Sequence, residues 1–135
     1  MERTKRFYSQ RAIAIATYFG GPLAAGYLIK KNYEVLEQPE HANKSLVIGI
    51  VATILLLAGL FSLPEETIDK IPNALIPLIY TGLTYLIVSR IQGAHLKIHR
   101  ESGGAFYSGW RAVGIGALAF LILAVTGFIL IVLFF

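Results

Sequence analysis

Two histidines four residues apart are the side chains of this chain that are best spaced for metal chemistry. His95 and His99 would share one face of a helix and could offer two imidazole ligands. Glu101 follows closely, but it has the wrong helical phase to complete the site. Lys97 and Arg100 lie between and beside the histidines, and their positive charges oppose a bound cation. The pattern favours a solvated pair at an interface, and we expect no metal and no cofactor.

Hydroxyl groups near these histidines do not form a recognisable catalytic set. Ser102 and Ser108 lie in the same stretch, but the spacing defines no nucleophile with a base and an orienting acid. The chain has no Cys, which excludes thiolate metal sites, a Cys nucleophile and a disulfide framework. We therefore expect a protein that is not an enzyme.

A polar face on an otherwise apolar segment is the second candidate site. The residues of this face recur at helical spacing and are Tyr80, Thr81, Thr84, Tyr85 and Gln92. They could line a permeation path or a small-molecule cleft beside a bend at Pro77. Hydrogen bonds between helices, worth about 0.6 kcal/mol each in a membrane, are the plainer interpretation.

Four long apolar segments must position all of these residues. They are 12–29, 46–63, 71–91 and 112–135. The chain is 56% hydrophobic and 15% charged, and its charges collect in short blocks between the segments. About 20 apolar residues suffice for a helix to cross the hydrocarbon layer. The sequence predicts an all-α, polytopic integral membrane bundle with a single domain, 1–135, in which the last three segments are firm transmembrane helices.

The first segment has two possible interpretations. Gly20, Gly21 and Pro22 interrupt it with two flexible residues and one that can begin a new helix, as a re-entrant helical hairpin requires. A kinked fourth transmembrane helix is the alternative. With a hairpin, every Lys and Arg except Lys70 falls on one side of the membrane, whereas a fourth crossing would divide them almost evenly. The excess of Lys and Arg in cytoplasmic loops favours the hairpin.

Basic residues beside the segments predict contacts with the membrane surface. The candidate headgroup contacts are Arg90, Lys97, Arg100 and Arg111. Although the net charge is +4, the basic residues flank apolar segments, which indicates anionic headgroups as partners and not nucleic acid.

One stretch carries a resemblance. Residues 8–36, followed by Gly103, Gly104 and Ser108, look like small bacterial membrane proteins without an assigned activity. The resemblance implies a bacterial origin and carries no activity over. Together with the apolar segments, it leads us to expect a multi-pass protein of a bacterial inner membrane.

Small residues in the apolar segments indicate close helix packing, within the protein or between copies. Our leading hypothesis is a small non-enzymatic membrane protein that acts through helix contacts. It would be an accessory or assembly subunit of a membrane complex, or a homo-oligomer. The alternative is a passive channel or carrier for a small ion or solute.

Overall fold

The computed structural model describes residues 6–134, most of which are helical. The helices are α1 (Gln10–Val35), α2 (Pro39–Ser62), α3 (Glu65–Lys70), α4 (Leu75–Ile91), α5 (Gly93–Glu101) and α6 (Gly109–Phe134). Two short strands, β1 (Arg6–Phe7) and β2 (Ala105–Phe106), pair in parallel. The prediction of an all-helical fold is confirmed. Among the predicted features, Arg3, Lys5 and the segment end at Phe135 lie outside the described residues.

Helix α1 folds back on itself at Gly21. The backbone there has φ 71° and ψ −166°, so it leaves the helical region. The backbone N–H of Tyr8 donates a hydrogen bond of 2.8 Å to Oδ1 of Asn32. A continuous helix would place these residues about 36 Å apart. Residues 10–20 and 22–35 are therefore the two arms of a helical hairpin, whose turn at Gly21 we call the tip.

Local sequence explains both the start of the hairpin and its turn. The hydroxyl of Ser9 accepts a hydrogen bond from the N–H of Ala12 and caps the first arm. The dihedral angles of Gly21 lie in a region that is essentially restricted to glycine. Pro22 follows at the first position of the second arm, where a missing N–H does no harm.

The other long helices surround this hairpin. Helices α2, α4 and α6 each pack chiefly against α1. Each of three helices contains an apolar window of 18 residues. The buried share of this window is 61% in α1, but only 11% in α2 and 6% in α6. The outer helices thus present apolar side chains outward over almost their whole length. This is the surface expected of a protein whose solvent is a lipid bilayer.

By length and composition, three helices of the described part of the chain qualify as membrane spans: α1, α2 and α6. Helix α4 qualifies only together with α5, from which it is bent by 69°. It begins at Leu75 and not at residue 71, because the chain makes a turn after Pro72. Pro77 is thus the third residue of α4, where its missing N–H breaks no helical hydrogen bond. The bend predicted at Pro77 is replaced by the start of the helix.

Small residues allow the hairpin to approach its neighbours closely. A Cβ added at Gly26 would lie 2.8 Å from the carbonyl oxygen of Ser45 and 2.9 Å from the Cα of Gly49 in α2. A Cβ added at Gly20 would lie 2.8 Å from the carbonyl oxygen of Gly116 in α6. No larger side chain fits at these contacts, so glycine here serves helix packing.

Candidate functional site at the base of the hairpin

Polar side chains concentrate at the end of the molecule opposite the tip, where the first arm of the hairpin begins and the second arm ends. We call this end the base. Strand β1 precedes the first arm and pairs with β2, and the N–H of Tyr107 extends the pairing by donating to the carbonyl of Phe7 at 2.9 Å. Helix α5 covers the same end after the sharp turn at Gln92. The base therefore joins the N-terminal segment, α1, α5 and the start of α6.

A buried network of amides holds the base together. The Nδ2 group of Asn32 donates to the carbonyl of Tyr8 at 3.0 Å and to Oε1 of Gln92 at 3.1 Å. The Nε2 group of Gln92 donates to the carbonyl of Ile29 at 3.1 Å. Both amide side chains are 1% exposed. Buried polar groups are stable when they are paired in this way, so the network fixes the α4–α5 turn against both ends of the hairpin.

The two histidines occupy different environments. His99 lies between the rings of Phe7 and Phe106, with edge-on contacts at 4.7 Å and 5.1 Å between ring centroids. Its Nε2 is 2.6 Å from the carbonyl oxygen of Ala105, so that nitrogen is already occupied. His95 is exposed on α5. The expectation of a solvated pair is therefore wrong for His99, which packs in the base. Within residues 6–134, no group of three or more His, Asp or Glu side chains is placed to hold a metal.

The residues of the predicted polar face separate into different roles. Thr84 and Gln92 are buried against the hairpin, whereas Tyr85 is 46% exposed on the outer surface of α4. The hydroxyl oxygen of Thr81 is buried, and within the described residues it has no hydrogen-bond partner. The structure thus brings only part of this face together.

Tyr80 forms a hydrogen bond with the backbone at the tip. Its hydroxyl donates a hydrogen bond of 3.0 Å to the carbonyl of Tyr18. In a continuous α-helix that carbonyl would accept from the N–H of residue 22, but Pro22 has none. Tyr80 therefore supplies a donor that the broken backbone lacks, as buried carbonyls require.

A cavity of about 770 Å³ lies beside the tip, between the hairpin and the outer helices. Its lining is mainly apolar and includes Phe19, Leu56 and Leu123, with Tyr18, Asn73 and Tyr80 as polar exceptions. Such a lining suits hydrocarbon better than a hydrated ion.

The predicted headgroup contacts all lie at the base. Arg90, Lys97 and Arg100 are exposed, and the Arg100 guanidinium is 5.5 Å from the ring centroid of Phe106. Arg111 differs, because its Nε donates a hydrogen bond of 3.0 Å to the hydroxyl of Tyr8. Its guanidinium also lies 4.8 Å from the ring centroid of Tyr107.

Arg111 belongs to a cleft that we call the tyrosine cleft, with a volume of about 440 Å³. The cleft is lined by Tyr8, Tyr27, Lys31, Tyr107, Arg111, Gly114, Ile115 and Leu118. Of these residues, only Arg111 belongs to the predicted site. In the sequence, Tyr27 lies four residues before Lys31 and Tyr107 lies four residues before Arg111. These pairs could have indicated the cleft, because aromatic and basic residues concentrate at membrane interfaces.

No protein-family model, curated protein or solved structure matches this chain.

Proposed function

We propose that this is a small non-enzymatic protein of a cell membrane, a bacterial inner membrane on the resemblance described above. In this proposal α2, α4 and α6 cross the bilayer and α1 is a re-entrant hairpin between them. The base lies on the cytoplasmic side. The protein acts through helix contacts, as an accessory or assembly subunit of a membrane complex or as a homo-oligomer.

The length of the hairpin supports a re-entrant element. Its arms of 11 and 14 residues extend about 16 Å and 21 Å, only part of a hydrocarbon layer of about 30 Å. Helices α2 and α6, with 24 and 26 residues, are long enough to cross it completely. Helix α4, with 17 residues, extends about 26 Å, so residues 71–74 before it complete its crossing in this proposal. Broken backbone at membrane depth must be covered by protein. The tip at Gly21 meets this condition, because α1 packs against three helices.

The distribution of charge supports the orientation. Among the described residues, every Lys and Arg except Lys70 belongs to the base or to the first turns next to it. Lys70 lies in α3 with Glu65, Glu66 and Asp69, at the opposite end of α2 and α4. Basic loops remain on the cytoplasmic side of a membrane, so the base is the cytoplasmic end in this proposal.

Outward-facing glycines are the observation that supports action through helix contacts. Gly59, Gly82 and Gly127 lie in α2, α4 and α6, and a Cβ added at any of them would meet no atom within 4 Å. Within residues 6–134 they therefore have no packing role, in contrast to Gly26 and Gly49. Glycine on the outer surface of a membrane helix permits close approach of another helix.

A passive channel or carrier receives less support. Of the polar face that suggested it, Thr84 and Gln92 are packed against the hairpin and Tyr85 faces outward. The cavity at the tip is mainly apolar.

Labelling of single cysteines tests the re-entrant hairpin. Because the chain has no Cys, Arg6→Cys, Glu40→Cys and Glu66→Cys each provide one thiol at an exposed position. We expect an impermeant thiol reagent to reach positions 6 and 40 from the same side of the membrane and position 66 from the other. Labelling of positions 6 and 40 from opposite sides would show that α1 crosses the membrane, and the proposal would be wrong.

Native mass spectrometry tests the action through helix contacts. The protein is extracted gently from its own membranes, and co-purifying chains are identified. We expect a defined partner chain or a defined homo-oligomer, which Gly127→Phe or Gly82→Phe weakens. A protein that remains monomeric and alone under these conditions would refute the proposal.

A further inference from the structure

We propose that the tyrosine cleft binds one anionic phospholipid, with the phosphate between Lys31 and Arg111 and an acyl chain along α6. The inference rests on the membrane location proposed above, but not on the proposed helix contacts. It goes beyond general attraction of basic residues to a charged surface, since it assigns a single site with a defined headgroup and tail region.

The tyrosine cleft carries more positive than negative charge. Nζ of Lys31 lies 3.6 Å from one carboxylate oxygen of Glu34, and Nζ of Lys30 lies 3.6 Å from the other. Two ammonium groups thus share one carboxylate. Arg111 pairs with no carboxylate of the described residues. The cleft therefore keeps an excess of positive charge, which is complementary to a phosphodiester.

Several hydrogen-bond donors line the cleft. Within residues 6–134, Arg111 uses only Nε in a side-chain hydrogen bond, so both Nη groups can donate to a ligand. The hydroxyl of Tyr8 accepts that bond from Arg111, and its own proton is available to a phosphate oxygen. Tyr8 is fixed by its stacking on Tyr107, with 4.5 Å between the ring centroids. The donors are therefore held in place before a ligand arrives, which favours binding.

An apolar groove continues from the cleft. A second cavity, of about 250 Å³, shares Tyr27, Ile115 and Leu118 with the tyrosine cleft. It extends past Leu23 and Ile122, in the direction of the tip. Cationic and hydroxyl groups at one end and aliphatic side chains at the other match an amphiphile with an anionic head. A free phosphate ion would use only the first part.

Glycine on α6 allows the cleft to be filled without distortion of the fold. Gly114 lines the cleft, and a Cβ added there would meet no atom within 4 Å. Gly114→Phe should therefore occupy the space of the lipid. Gly127 lies on the same helix with equally open surroundings, and it lines neither of the two cavities. Gly127→Phe is thus the matched control for a bulky aromatic side chain on α6.

The experiment is native mass spectrometry of the full chain in detergent, titrated with phosphatidylglycerol or with phosphatidylcholine that carries the same acyl chains. We expect one phosphatidylglycerol to bind at least about fivefold more tightly than phosphatidylcholine, the factor for one basic residue near an anionic headgroup. Gly114→Phe and Arg111→Gln should remove this preference. Gly127→Phe and Arg90→Gln should retain it.

Three results would overturn the proposal. Equal binding of the two lipids would show that the net negative charge of the headgroup is not recognised. An equal loss of binding in Gly114→Phe and Gly127→Phe would show that the lipid does not occupy the cleft. Displacement of phosphatidylglycerol by an equal concentration of inorganic phosphate would show that the groove contributes nothing. Gly127→Phe separates the two proposals, because it should weaken association between chains and leave the lipid preference intact.

Discussion

Replacement of Asn32 by Leu tests the network that closes the hairpin. Leucine has the same branched skeleton and the same number of side-chain heavy atoms as asparagine, so the change removes hydrogen bonds and leaves no cavity. It leaves three buried groups without their partner: the N–H and the carbonyl of Tyr8, and Oε1 of Gln92. Each such group costs about 1–3 kcal/mol. Because the base borders on water, we take the lower value for each and expect a loss of about 3 kcal/mol.

The assay has a global and a local readout. Unfolding in mixed micelles gives the change in the free energy of unfolding. Hydrogen exchange of residues 6–9 reports the release of the N-terminal segment from Asn32, and 3 kcal/mol corresponds to exchange that is faster by about a hundredfold.

Gln10→Leu is the matched control, because it replaces an amide that donates a single exposed hydrogen bond, to the carbonyl of Tyr85. It should cost about 0.5–1.5 kcal/mol. If Asn32→Leu costs no more than Gln10→Leu in both readouts, the reasoning about the buried network is refuted.

Three further substitutions test the hairpin and its packing. Gly26→Leu should lower the free energy of unfolding by about 3 kcal/mol, because the new side chain would meet the backbone of α2. Its control is Gly59→Leu on the outer surface of α2, which should change this free energy by less than about 1 kcal/mol. Gly21→Ala should cost about 1–3 kcal/mol in the same measurement, because its backbone angles are those of glycine; a neutral result would place the turn elsewhere. Tyr80→Phe should cost about 1–3 kcal/mol by leaving the Tyr18 carbonyl without this donor, and equal effects of Tyr80→Phe and Tyr85→Phe would contradict this role.

The sequence was sufficient for the features that depend on local pattern. Apolar segments of membrane length predicted the helices, and Gly20, Gly21 and Pro22 predicted a break where the structure has the turn. These features follow from hydrophobic burial and from backbone angles that few residues can adopt. The first segment was predicted shorter than α1, because the second arm continues to Val35 through residues that are not apolar.

The contacts that complete the base could not be predicted in this way. Asn32 follows two lysines and is typical of a loop, yet it is almost fully buried because Tyr8 and Gln92 meet it across the fold. Those partners are 24 and 60 residues away along the chain. His99 was misassigned for the same reason, since Phe7 reaches it only through the pairing of β1 with β2. The periodicity of apolar residues predicts the faces of a single helix, whereas the environments of Asn32 and His99 are formed by side chains from several elements.

The two ends of the hairpin meet the same physical requirement by different means. In the proposed orientation the tip lies within the membrane, where no water can replace the donor that Pro22 lacks, and the hydroxyl of Tyr80 donates to the Tyr18 carbonyl instead. In the same proposal the base lies at the membrane surface, and there the amides of Asn32 and Gln92 join the N-terminal segment, α1 and the α4–α5 turn. A continuous helix that crossed the membrane would need neither set of side-chain hydrogen bonds, because its backbone N–H and carbonyl groups pair with each other. The positions of these side chains are therefore an argument for a hairpin that is independent of the distribution of charge.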